Sequence, residues 1–315
     1  MSNVPKPPKR PSDPAAFWIS FALTLAVILP LLGCLVLYSG WIDKQQARAA
    51  QREETGVPIA GPGPEEDITL LVTVAQQKPS FVLLRLNAPG AVLQICPIPG
   101  ESVLRSPGGP VPLEDSYQSA GPGRAAALIS ETLNVTIDRY LAITPESIGR
   151  IWGELEPPRV NMENLLSPQE LGGLGIKDDP VVRLRPQDAG VFIEQIAPEP
   201  ARRARLDGAV WEAALRQQLD ALPQAVANGL RKESGALLGD LTATDFFKLE
   251  KSLDWLARQE TRVESELLPG HYNRQTGRYE FDAESIAFIK ARFAKPVEQM
   301  EQPQPGPAPA MQDEE

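Results

Sequence analysis

Arg202 and Arg205 stand three residues apart in a basic run that also contains Arg203. Residues three apart share one helix face. Two guanidinium groups on one face can hold a single anionic group through charge-assisted hydrogen bonds. The same run also reads as the solvated basic start of a helix. Other chemistry-bearing residue types are scarce. His271 is the only histidine, and Cys34 and Cys96 are the only cysteines. That set offers no His/Cys metal-ligand spacing, and no Gly-x-Ser-x-Gly turn seats a serine nucleophile. Zinc chemistry and Ser-His-Asp catalysis are therefore not expected, and His271 reads as a surface residue in the turn after Gly270. Cys34 lies in an apolar N-terminal run and Cys96 in a distant strand-like run, so no disulfide is expected between them.

The elements that must position these residues are strands mixed with helices. Residues 69–74 form a nearly continuous apolar run, as a buried central strand does. Residues 81–86 and 91–95 flank Asn87-Ala88-Pro89-Gly90, a turn that predicts a hairpin. Ala125, Leu128, Ile129, Thr132 and Leu133 fall on one helical face. Residues 138–143 read as a strand, and 145–153 as a short helix capped by Thr144. Between 202 and 222 a stripe runs through Leu206, Val210, Trp211, Ala214, Leu215, Leu219 and Leu222. Phe246, Leu249, Leu253 and Leu256 form another. Asp282 caps a last helix whose inner face is Ile286, Ile289 and Phe293. This pattern predicts an α/β fold: one α/β/α sandwich, a mixed sheet with helices on both faces.

Ahead of the domain, residues 17–41 carry no charge, and Trp18 and Trp41 bracket them. At about 1.5 Å per residue this run spans a hydrocarbon core of roughly 30 Å. It predicts one N-terminal transmembrane helix behind a cytoplasmic tail at 1–16. The run is too long for a cleaved signal peptide. A lipobox reading of 31–34 would lipidate Cys34, but the apolar run continues past it. Basic residues nearly balance across the span, with the N-terminal flank slightly richer, which places the N-terminus inside and the domain outside the cytoplasm. Residues 42–66 read as a linker, 67–294 as the folded domain, and 295–315 as a disordered Pro/Gln/Glu-rich tail. The net charge of −10 argues against a nucleic-acid partner.

The order of segments resembles the LytR-CpsA-Psr family of bacterial cell-envelope proteins. The resemblance covers residues 67–293. It runs through the first strand at 68–74, the hairpin at 81–102, and Leu113-Glu-Asp-Ser-Tyr-Gln-Ser-Ala-Gly-Pro122, which is similar to an Ile-Asn-x-x-Tyr-x-x-Gly-Gly-Pro loop. Glu199-Pro-Ala-Arg-Arg-Ala-Arg205 sits at an Asp-x-x-Arg-x-x-Arg-Gln motif, and Leu268-Pro269-Gly270 begins a similar closing segment. The resemblance implies a protein anchored in the cell membrane that moves glycopolymers from a polyprenyl diphosphate lipid onto peptidoglycan. In that chemistry arginines neutralise the diphosphate, carboxylates hold Mg2+, and an apolar pocket takes the lipid.

On that basis Arg202 and Arg205 are the expected diphosphate contacts, and Glu101, Glu199 and Tyr117 the candidate metal or polar contacts. Glu101 also reads as a loop acid, and Tyr117 as a core or rim aromatic. The sequence departs from the pattern where the chemistry should sit. The expected acids fall at Val74 and Pro79, and the expected arginines at Gly100, Glu194 and Ile196. An alternative follows: a non-catalytic envelope scaffold that binds a lipid-linked or wall polymer.

Overall fold

The computed structural model describes residues 61–153, 155–176, 179–233 and 236–295. The apolar span at 17–41, the tail ahead of it, most of the linker and most of the C-terminal tail lie outside these residues. Among the described residues no helix is long and apolar enough to cross a membrane.

A short 3-10 turn, Pro64–Glu66, leads into β1 (Asp67–Val74), β2 (Ser80–Asn87) and β3 (Val92–Ile98). The paired strands β4 (Val103–Leu104) and β5 (Val111–Pro112) follow, then α1 (Leu113–Leu133), β6 (Arg139–Ile143) and α2 (Pro145–Trp152). Next come β7 (Arg159–Asn161), α3 (Pro168–Gly173), β8 (Val181–Arg183), α4 (Pro186–Ile196), α5 (Pro200–Gln217) and α6 (Leu222–Glu233). The chain continues through β9 (Leu238–Gly239), α7 (Ala243–Ala257), β10 (Arg262–Ser265), β11 (His271–Asn273), β12 (Arg278–Glu280) and α8 (Ala283–Phe293).

The main sheet has the order β10-β3-β2-β1-β6-β9. β1 runs antiparallel to β2 and parallel to β6, and β3 runs antiparallel to β2 and parallel to β10. The expected mixed sheet is therefore present. Every residue of β1 is buried. Alternation sends its side chains to opposite faces, and each face has its own core. Ile68, Leu70, Val72 and Val74 pack with α2, α5, α6 and α7 through Ile148, Trp211, Leu230 and Leu253. On the other face Leu71 joins Leu83, Cys96, Leu128 and Ile129 of α1, and Ile289 and Phe293 of α8. A third, smaller cluster holds α4 and α5 against β7 and β8 through Val160, Leu184, Ile193 and Leu206. At Gly229 a Cβ would lie 2.7 Å from the Ile151 side chain, so the glycine permits the close approach of α6 to α2.

Three expectations change in detail. The segment carrying Tyr117 is not a loop: α1 begins at Leu113 and kinks at Gly121, whose φ of 77° no ordinary residue adopts without strain, with Pro122 next to it. The stripe read as one helix over 202–222 divides into α5 and α6. On α8 the buried stripe is Ser285, Ile289 and Phe293, spaced four apart, and Ile286 stands off it, 37% exposed.

The sheet also buries a charge pair. Arg85 donates from Nε to Asp67 Oδ1 at 2.8 Å and from Nη2 to Asp67 Oδ2 at 2.6 Å. Its Nη1 donates to the Arg292 carbonyl at 2.6 Å, which ties α8 to the sheet. Both side chains are almost fully buried. Removing one partner strands the other charge, at a cost of about 3–5 kcal/mol. Arg85→Met should lower unfolding stability by that amount in denaturant titration, whereas replacing Asp67 and Arg85 together by apolar residues should cost less than the single change.

Candidate functional site

The cleft forms where β1 and β3 end and β2 begins. The turn after β1 brings Gln76, Lys78 and Pro79, the loop after β3 brings Gly100 and Glu101, and α1 brings Glu114. Gly190 and Glu194 of α4 and Arg203, Ala204 and Asp207 of α5 close it. Its volume is about 50 Å3. Gly190 lies against the end of the Gln76 side chain, which a Cβ there would displace. Pro79, Gly100 and Glu194 are positions at which the resemblance leads one to expect an acid and two arginines. All three line this one cleft.

The electrostatics follow from the residues that line the cleft. Arg203 is bound to Glu101 and donates a second bond to the Pro198 carbonyl at 2.8 Å. Lys78 lies 3.8 Å from Glu194. Glu114 makes no ion pair among the described residues. Burial, followed by the nearby Glu101 and Asp115 charges, raises its carboxyl above the ordinary range. Asp207 is 8% exposed, and its Oδ2 has no hydrogen-bond partner. Burial pushes its carboxyl up to about 7, with the Ser80 hydroxyl opposing the shift.

The residues singled out from sequence divide between two places. Glu101 lines the cleft. Tyr117 stands beside it, its ring edge-on to Phe81 with centroids 5.7 Å apart, and burial raises its hydroxyl pKa. Arg202, Arg205 and Glu199 share a separate recess of about 200 Å3 with Leu165 and Leu206. Arg202 is held there by Glu170 through a bidentate pair at 2.5 and 2.6 Å, which lowers the Glu170 carboxyl to about 2. Arg205 is exposed. Glu199 caps α5 through its backbone, with no side-chain cap bond. His271 is exposed, 2.9 Å from Asp282.

Sequence reasoning missed Arg203 as a cleft residue, and it missed Asp207 and Glu114 altogether. Asp207 had a signal: it lies four residues before Trp211, on the apolar stripe of α5, where a carboxylate has no packing reason to be. The resemblance implies Mg2+, and the carboxylates that line the cleft are those of Glu101, Glu114, Glu194 and Asp207. Among the described residues no three acid, His or Cys side chains come together closely enough to hold a cation. Glu101 is engaged by Arg203, Glu194 faces Lys78, and burial favours the protonated form of Asp207.

One helical turn beyond Asp207, α5 passes from the cleft to a second cavity, between the sheet and α2, α6 and α7. Its walls include Leu70, Val72, Leu141, Trp152, Trp211 and Leu230, and every lining residue is apolar. Trp152 and Trp211 meet edge to face at 6.0 Å. The volume is about 100 Å3.

The sheet, the strand-end cleft and the adjoining apolar cavity define an α/β/α sandwich with a polar and an apolar site on one helix. No family model matches the chain, and no curated protein matches it either. Solved structures do. A putative transcription regulator from Eubacterium siraeum is 12% identical with a TM-score of 0.57, covering 74% of this chain and 93% of that one. TagT bound to LIIa-WTA is 14% identical with a TM-score of 0.54, covering 75% and 92%. TagV of B. subtilis is 12% identical with a TM-score of 0.52, covering 71% and 94%. At these identities the likeness is one of fold, and in the fold the resemblance to the LytR-CpsA-Psr family holds.

Asp207 gives a test of the cleft's electrostatics. Its carboxyl titrates at about 7 in the fold against about 3.9 in an unfolded chain. The stability it lends is full below the unfolded value and is lost as pH rises through the folded one. Between pH 5 and pH 8 the native protein should lose about 3 kcal/mol more stability than Asp207→Asn. Parallel melts at the two pH values measure this, and an equal loss in both proteins would show that Asp207 is not buried as described.

Proposed function

We propose that the protein is a cell-envelope binding protein of this fold that holds a polyprenyl-linked glycopolymer without transferring it. The apolar cavity carries the reading. It lies between the sheet and the helices, it is lined by apolar side chains alone, and it adjoins the cleft along α5. TagT, which shares the fold, has been solved bound to LIIa-WTA and to LI-WTA, which supports a lipid-linked polymer as the class of ligand. At about 100 Å3 the cavity is smaller than the roughly 300–1,000 Å3 of common ligand sites, so seating a polyprenyl chain requires the helices to part from the sheet.

The cleft supports binding over turnover. Phosphoryl transfer depends on cations placed where charge develops. Here Glu194 stands at an expected arginine position, Arg203 is neutralised by Glu101, and no carboxylate trio is available for Mg2+. In this reading the exposed Arg205, with Arg202 behind it, meets the diphosphate at the rim. The apolar span at 17–41 keeps the domain at the outer face of the membrane that supplies the lipid, close to peptidoglycan.

Trp152 and Trp211 report on the cavity directly. Titrating the full chain in detergent with a polyprenyl phosphate should change tryptophan emission saturably. Val226→Phe, which fills the cavity from α6, should weaken binding about tenfold, equivalent to ~1.4 kcal/mol. Emission that does not respond, or responds equally in Val226→Phe, would remove the cavity from the proposal.

A further inference from the structure

The cleft at the end of β1–β3 supports a second inference, which stands on the cleft alone and does not depend on the lipid cavity. Its walls set Lys78 and Arg203 against Glu101, Glu114, Glu194 and Asp207. Both cations face a carboxylate, Arg203 with Glu101 and Lys78 with Glu194. Glu114 and Asp207 are left over. Buried polar atoms in native proteins nearly always have a partner, and one that lacks it calls for an explanation. Asp207 Oδ2 is such an atom, in a residue only 8% exposed that lines the cleft, and the Ser80 hydroxyl lies at the same wall, near enough to the Asp207 carboxyl to favour its ionised form. What is missing is a group that donates hydrogen bonds and brings positive charge.

We propose that this cleft binds a small ammonium group, received by Asp207 Oδ2, the Glu114 carboxylate and the Ser80 hydroxyl. An ammonium has three donors and no acceptor, which matches three acceptor atoms and the excess of acids. The same walls repel a phosphate, whose own charge would meet Glu101, Glu114 and Glu194. The volume of about 50 Å3 admits an amine and the carbons next to it, and no whole sugar ring. The natural ligand is thus an amine-bearing chain or substituent that reaches in from outside, with its remaining bulk beyond the cleft.

Binding requires Asp207 to give up its proton. The charged groups facing it are Lys78 from the turn after β1, Glu101 and Glu114 from the β3–α1 segment, Glu194 from α4, and Arg203 from its own helix. Because Asp207 is protonated below about 7, the affinity for an amine should rise about tenfold from pH 6 to pH 8, following the ionised fraction.

The test is an NMR titration of the full chain in detergent with ethanolamine, N-acetylethanolamine and inorganic pyrophosphate. Ethanolamine should shift resonances of the cleft, more strongly at pH 8 than at pH 6, while the neutral amide and pyrophosphate leave them unmoved. Asp207→Asn and Glu114→Gln should each weaken ethanolamine binding at least about tenfold, and Val226→Phe should not change it. The two cleft variants guard against a misfolded single mutant. Equal binding of the acetylated probe, pyrophosphate binding in the cleft, or ethanolamine binding indifferent to both cleft variants would overturn the proposal. Loss of polyprenyl binding in Val226→Phe with ethanolamine binding intact keeps the two proposals separate.

Discussion

β1 is buried on both faces, and most of the architecture follows from covering it. A strand with apolar side chains on either side needs a layer of helices above and another below. α1 and α8 supply one layer, and α2, α5, α6 and α7 the other. The two layers are not equivalent. The α1 side closes tightly around Leu71, Leu83 and Ile129, all fully buried. The opposite side rests on larger side chains, including Trp152 and Trp211, and leaves an apolar cavity. The Asp67–Arg85 pair fixes the first residue of β1 to its neighbour and to the end of α8. It adds little stability over an apolar pair of similar volume, whereas losing one partner alone is costly.

α5 connects the sites. Its first turns carry Arg202 and Arg205 on the recess and Arg203 and Asp207 on the cleft, and its later turns carry Trp211 and Leu215 into the cavity. A single helix thus presents charge at one end and hydrocarbon at the other, an arrangement suited to an amphipathic ligand. The cleft has an acidic balance. Acids outnumber cations there, and the guanidinium that points inward already has a carboxylate partner. In the proposed reading such a site serves binding, since stabilising a migrating phosphoryl group calls for free positive charge where charge develops.

Much of this was legible in the sequence. The unbroken apolar run of β1, the Asn87–Gly90 turn and the Thr144 and Asp282 caps are local signals, and local signals survive in a single chain. The short strands β4, β5, β7, β8 and β9 were not legible, because two or three residues carry no measurable period. The division of α5 from α6 escaped because the apolar stripe runs across the break at 218–221. The site was half legible. Spacing grouped Arg202 with Arg205, and both do share one recess. Spacing could not show that Arg203, 102 residues from Glu101, forms the ion pair of the cleft. Nor could it show that Pro79, Gly100 and Glu194 converge, since that depends on which strand ends lie side by side.

The central claim is that this fold holds a lipid-linked glycopolymer without transferring it. Native mass spectrometry of the full chain in detergent, incubated with a polyprenyl diphosphate glycan and Mg2+, tests it most directly. The account predicts a complex at the mass of the intact lipid-linked glycan, unchanged with time and indifferent to the metal. Appearance of free polyprenyl phosphate, at a rate that depends on Mg2+ and on the protein, would contradict it.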